Sequence, residues 1–193
     1  YTLLSVALIA ALIWAFYLNK STKALAADRE NQYNRAFHDM TDYINDIDIL
    51  LTKAQIASSP AEMATISGDI FRQSAEAKSA LGQLPSSEIQ LENTSKFLSQ
   101  VGDYTYVLSQ NMINGNGISQ KEYESLASLN QYSSSLKNSL PEIQTMLYNG
   151  DIKFSDMSAQ NKINSAEAAG ADILVSLENI EKSFEEYPSL IYD

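Results

Sequence analysis

Apolar residues recur along most of this chain at alternating spacings of four and three, the period of helices that bury one face. In the first such stretch Tyr33, Phe37, Met40, Ile44, Ile47, Leu51 and Ala54 form a seam, and Ala36, Tyr43, Leu50 and Ala57 add a flanking stripe. Together they make a face wider than a two-stranded coil needs, so the pattern predicts a bundled helix. No breaker interrupts it before Ser58-Ser59-Pro60. Ser59-Pro60-Ala61-Glu62 then reads as a helix start, with Ser as N-cap, proline at the first helical position and Glu three residues on. The second helix has Met63, Ile66, Ile70, Ala77 and Leu81 on its buried side, and Gly82 followed by Pro85 ends it.

Ser86 or Ser87 is expected to cap a third helix whose stripe is Thr94, Phe97, Val101, Tyr104, Leu108 and Met112, broken at Asn114-Gly115-Asn116-Gly117. Ser119-x-x-Glu122 is a capping box and opens a fourth, with Tyr123, Leu126, Leu129, Ser133, Leu136, Leu140, Ile143 and Leu147 facing inward. Pro141 should kink or split that helix, because it removes an internal hydrogen bond. Asn149-Gly150 is its expected stop. A fifth register follows at Ile163, Ala166, Gly170, Ile173, Leu177, Ile180 and Phe184, ending at Tyr187-Pro188. Short loops between amphipathic helices predict an all-α fold, an up-and-down bundle of four to five helices, as one domain over residues 19–186.

Ahead of the bundle, residues 1–18 carry no charge and would span about 27 Å as a helix, close to the hydrocarbon thickness of a bilayer. Leu3, Leu4, Val6, Leu8, Ile9, Leu12, Ile13, Trp14 and Phe16 supply the apolar surface of this predicted transmembrane anchor, with Trp14, Tyr17 and Tyr1 near its ends. The competing reading is a cleaved signal peptide, for which Ala24-Leu25-Ala26 offers an A-x-A site. Against it, the run is longer than a usual signal core, and Lys20 and Lys23 lie where a cleavage region is normally uncharged. A single anchor followed by a large acidic domain predicts a single-pass protein with its bulk outside the cytoplasm.

Charge narrows the partners. The net charge is −11 and all 13 Lys and Arg lie after residue 18, so nucleic acid and anionic lipid surfaces would repel the main domain. Cysteine is absent, which removes disulfides and thiolate sites. The sole histidine, His38, falls one step off the seam and reads as a rim residue. A di-iron bundle site would need Glu three residues before histidine, and position 35 is Arg. Asp46 and Asp48 point in different directions on a helix, as do Glu185 and Glu186, and both pairs read as solvated faces. No nucleotide loop or calcium loop is present in the sequence. These residues predict neither an enzyme nor a cofactor. Tyr33, Tyr43, Tyr104, Tyr123 and Tyr132 lie at or near seams and read mainly as core, with the rest open to a protein interface.

Particular segments resemble the YpeB family of germination proteins from endospore-forming bacteria. They are Glu30-Asn31-Gln32-Tyr33-Asn34-Arg35-Ala36-Phe37-His38-Asp39, Leu81-Gly82-Gln83-Leu84-Pro85, Lys96-Phe97-Leu98-Ser99-Gln100-Val101-Gly102-Asp103-Tyr104 and the stretch Phe184-Glu185-Glu186-Tyr187-Pro188-Ser189-Leu190-Ile191-Tyr192-Asp193. Phe71, where the family has tryptophan, is a mild departure. The resemblance implies a non-catalytic protein of the inner spore membrane. It also implies a partner, a spore cortex-lytic enzyme of the SleB type, and a continuation into PepSY-type domains after residues 187–193. In that connecting segment Tyr187, Pro188, Leu190, Ile191 and Tyr192 are candidates for docking on a partner, being too apolar for a solvated tail. A homo-oligomer is a further expectation. The rival reading of anchor plus bundle is the helical ligand-sensing ectodomain of a chemoreceptor or sensor kinase.

Overall fold

A computed structural model describes residues 2–85, 91–154, 179, 181 and 182, and before residue 22 only the side chains of Trp14 and Lys20. Four helices follow one another among the described residues, with no strand: α1 (Thr2–Ala54), α2 (Pro60–Leu81), α3 (Glu92–Ile113) and α4 (Gln120–Asn149). Of the fifth helix predicted at Ile163 to Phe184 only residues 179, 181 and 182 are described, and they are helical; its seven seam residues lie outside the described residues, as do Glu185, Glu186 and residues 187–193.

Each helix packs antiparallel to the next. Lys78 reaches Ser99 between α2 and α3, and Gly102 of α3 lies against Phe71 and Ser74 of α2. A β-carbon on Gly102 would stand 3.3 Å from the Phe71 ring and 3.4 Å from its backbone, so this glycine lets the two helices approach closely. Helix α4 returns along α1: Gln55 pairs with Asn130, Asp48 with Lys137 and His38 with Gln144. Falling numbers on one helix against rising numbers on the other fix the direction. The α3–α4 edge is the sparsest of the four interfaces, closed chiefly by Phe97 on Tyr132, with ring centroids 4.9 Å apart.

The core follows the predicted seams. Phe37, Met40, Ile44, Ile47, Leu51 and Ala54 of α1 are buried, as are Met63, Ile66, Ile70 and Ala77 of α2, Phe97, Val101, Tyr104 and Leu108 of α3, and Leu126 to Leu147 along the α4 stripe. Several expectations are corrected. Leu81 is only partly buried, and Ala80 and Leu84 take the inner positions. Tyr123 is 42% exposed, although Leu126, one turn further along the same stripe, is fully buried. Pro141 does not split α4. The proline itself is exposed, while Leu140 and Ile143 on either side are buried and hold the helix across the missing backbone bond.

The caps divide into local and distant ones. Ser59 accepts the Glu62 amide at the start of α2, as predicted. At α4 the full capping box is present, and Gly150 closes the other end in the left-handed region at φ 76°. Glu122 also accepts from Asn111 Nδ2, which ties the end of α3 to the start of α4. The hydrogen bonds from Ser119 hold the Glu122 carboxyl below the usual carboxylate range. Ser119→Ala is expected to cost about 1 kcal/mol in a urea melt at neutral pH. Because the folded value is depressed, the contribution of Glu122 is present above the unfolded pKa and lost as pH falls through the folded one, so the penalty should shrink in acid. An unchanged penalty in acid would mean that the carboxylate does not share in the cap. Helix α3 begins at Glu92, later than expected, and Leu91 at its N-cap offers no side-chain cap; positions 86–90, including Ser86 and Ser87, lie outside the described residues.

Candidate functional site

Helix α1 is 53 residues long, about 80 Å at the α-helical rise, and only its second half belongs to the bundle. Lys20, residues 22–29, Asn31 and Gln32 are exposed, and burial begins in earnest at Ala36. The helix therefore leaves the bundle as a stalk, whose N-terminal backbone runs through the predicted anchor. Of Leu3, Leu4, Val6, Leu8, Ile9, Leu12, Ile13, Trp14 and Phe16, only Trp14 has a described side chain, and it is 70% exposed. Among the described residues no helix is long and apolar enough to cross a membrane; the other anchor side chains lie outside them. The docking candidates Tyr187, Pro188, Leu190, Ile191 and Tyr192 also lie outside the described residues.

Where the stalk meets the bundle, two later parts of the chain come back. The segment after α4 turns at Gly150 and buries Ile152 and Phe154. The Phe154 ring packs edge-on to Tyr33 at 5.7 Å and tilted on Phe37 at 6.0 Å, and its amide donates to Glu30 Oε1 at 2.6 Å. Glu181 arrives at the uncapped start of α3. Its carboxylate accepts from the Asn93 amide at 2.6 Å, the Thr94 amide at 2.9 Å and the Thr94 hydroxyl at 2.6 Å, while Asn93 Nδ2 donates to the Glu181 carbonyl at 2.8 Å. Glu181 is 8% exposed. This acceptor takes up the free amides of a helix N-terminus and sits at its positive end. Stalk, Phe154 and Glu181 thus share one end of the bundle.

A second polar constellation lies between α1 and α4. Asp48 is 5% exposed, which corrects the reading of Asp46 and Asp48 as a solvated face. The two do diverge: Asp46 accepts from Gln73 of α2, and Asp48 turns to α4. Lys137 Nζ donates to Asp48 Oδ2 at 2.8 Å, and Ser134 and Asn130 donate to Oδ1. Asn34, Thr41, Asp48 and Gln55 recur every seven residues beside the apolar seam of α1, and Asn130, Lys137 and Gln144 recur likewise on α4. This heptad of polar positions was the available signal, and it is visible only once α4 is known to be the neighbour.

His38 stands exposed on this edge with Gln144 Nε2 2.7 Å from its Nδ1 and Asp42 Oδ2 3.6 Å from its Nε2. It fits the predicted rim position. Of the seam tyrosines, Tyr104 and Tyr132 are buried and Tyr33 and Tyr43 partly so. Burial pushes the Tyr104 phenol up, and its hydroxyl donates to the Glu122 carbonyl at 2.9 Å. Among the described residues no group of His, Cys, Asp or Glu side chains is placed to hold a metal ion. What the arrangement provides is a projecting helix, a closed base and a register-fixed pair of helices.

The sequence profile described as YpeB N-terminal matches residues 21–156. Relatives with the name sporulation protein YpeB include one from Halalkalibacterium halodurans, 28% identical over 158 residues, which cover 82% of this chain and 35% of that protein. One from Oceanobacillus iheyensis is 25% identical over 94% of this chain and 40% of its own length, and one from Bacillus subtilis 25% identical over 80% and 34%. The chain therefore spans between a third and two fifths of the length of these relatives. No solved structure is significantly similar to it.

Proposed function

Because this chain belongs to the YpeB N-terminal family, we propose that it is the membrane-anchored, non-catalytic part of a sporulation protein that stabilises or positions a cortex-lytic enzyme of the SleB type for spore germination. The observation that carries this reading is the family match, whose residues 21–156 coincide with the stalk and the four helices. The relatives bear the name of a sporulation protein and not of an enzyme. A helical bundle on a stalk serves a sensor ectodomain equally well, so the family and not the fold separates the two.

In this reading residues 1–18 anchor the chain in the inner spore membrane, residues 19–186 form the extracytoplasmic bundle on the cortex side, and residues 187–193 lead into a PepSY-type region. The uncharged run and the exposed stalk that continues it support the anchor. Membranes from sporulating cells are expected to retain the protein through a carbonate wash. Recovery in the soluble fraction with Ala27 at the N-terminus would overturn the anchor. For the partner, dormant spores lacking this protein are expected to contain several-fold less cortex-lytic enzyme, and an unchanged enzyme level would remove that part of the proposal.

A further inference from the structure

We propose that the outer face of α2 and α3 binds a second copy of this chain, as a two-fold dimer whose axis runs along the helices. Gly68 has no reason within the fold to be glycine. It sits in the interior of α2, where glycine weakens a helix. Phe71 crowds the β-carbon position of Gly102, whereas a β-carbon on Gly68 would meet nothing within 4 Å. Gly68 is exposed, so the gap opens outward. Large apolar side chains share this face. Phe71, three residues on and lying over Gly102, is 53% exposed; on α3 Tyr106, one turn beyond Gly102, is 54% exposed and Ile113 53%.

The face is complementary to itself. Lys78 meets Ser99, and Gly102 meets Phe71 and Ser74, so the antiparallel pair also sets Tyr106 level with Gly68 and Asp103 level with Arg72. A two-fold axis parallel to the helices lays α2 of one copy on α3 of the other and keeps these levels. Each Tyr106 then covers the open Gly68 of the other copy, and the two Phe71 rings meet at the axis. The rims match in charge. Arg72 and Glu76 stand exposed on the outer edge of α2, as do Lys96 and Asp103 on that of α3. Across the axis Asp103 faces Arg72 and Lys96 faces Glu76, opposite signs in both cases. Their present ties, Arg72 to Asp69 and Lys96 to Glu92, are exposed pairs within one helix and cost little to share. An unrelated helix would have to bring its own aromatic knob and charge order, both of which this chain already carries. The 22 residues of α2 make the face about 33 Å long, and two helices make it about 19 Å wide, so a dimer buries roughly 1,200 Å² in all, at the lower edge of stable interfaces. Neither the anchor nor the enzyme partner is needed for this contact, and both stalks leave at the same end.

Sedimentation of the full 193-residue chain in detergent micelles tests it, with a dimer as the expected result. Phe71→Glu should weaken dimerisation about thirtyfold or more. Arg72→Asp and Asp103→Arg should each weaken it about threefold, and the two changes in one chain should restore it. The rim residues are exposed, so this reversal decides the matter should Phe71→Glu fail to fold. The chain has no cysteine, so spin labels placed through Ala75→Cys report the distance between copies, expected within about 25 Å, two helix diameters. Labels at Gln131→Cys, on α4 at the far side of the bundle, should lie well beyond that. A monomer at every concentration would overturn the proposal. A dimer indifferent to Phe71→Glu would also overturn it, since the contact would then lie in the anchor or the stalk. Failure of the double reversal to restore association would exclude the parallel axis and the pairing built on it. A monomeric chain that loses its hold on a cortex-lytic enzyme with Phe71→Glu would give this face to the enzyme instead.

Discussion

Replacement of Phe97 by alanine is expected to lower the stability of the folded chain by about 3–5 kcal/mol, the range for removing a fully buried aromatic ring. Phe97 has no exposed surface and lies against Tyr132 at 4.9 Å. Its position adds to the effect. Because the α3–α4 edge has few other contacts, a cavity there has little around it that can collapse inward, and a poorly relaxed cavity is the costly kind. Urea melts of wild type and variant with matched slopes provide the measurement. A loss below about 1 kcal/mol would mean that the ring does not close a packed core.

The second large effect is expected at Lys137. Changing it to methionine leaves the Asp48 carboxylate buried with Ser134 and Asn130 but without its counter-charge. Breaking a fully buried ion pair costs about 3–5 kcal/mol. The Lys137 side chain is 38% exposed, so water screens part of the pair and about 2–3 kcal/mol is the reasonable range. Changing both residues, Asp48→Leu with Lys137→Met, should restore much of the loss, because the penalty lies in the orphaned charge more than in the missing bond. A single-variant loss under about half a kcal/mol, or a double variant no better than the single, would place the pair at the solvent edge.

These two sites differ in how legible they were. Phe97 sits in a run of apolar residues spaced by three and four, and that period reports a buried face whatever the neighbour is. The same logic found the seams of all four helices, and local chemistry found the caps at Ser59 and Ser119, since donor and acceptor there lie within four residues. Asp48 failed because its partner is 89 residues away; a carboxylate near a seam looks solvated until the opposing helix supplies an ammonium group. The start of α3 failed for the same reason. The helix begins after Leu91, and the acceptor for its Asn93 and Thr94 amides is Glu181, far along the chain, whereas Ser86 and Ser87 lie outside the described residues. Tyr123 had the right period, yet it stays 42% exposed while Leu126, one turn on, is fully buried. Where a property depends on which elements are neighbours, periodicity does not contain it. The anchor and the docking candidates at 187–193 stand apart, as features of the sequence whose side chains lie outside the described residues, Trp14 excepted.

The polar rungs between α1 and α4 have a mechanical consequence. Moving one helix along the other by a heptad is a shift of about 10 Å, after which each polar rung again meets a polar rung. Only in the observed register, however, does the single ladder acid face the single ladder base: slipped one way Asp48 meets the level of Asn130, slipped the other way that of Gln144. The ladder thus behaves like a keyed shaft, tolerant of contact everywhere and seated in one position. A load applied along the stalk would be carried by α1 and α4 as one stiff rod. The relative displacement would have to appear at the other flank of α1, against α2, where the Gln73 amide donates to Asp46 and the buried Met63, Ile66, Ile70 and Ala77 supply apolar surface.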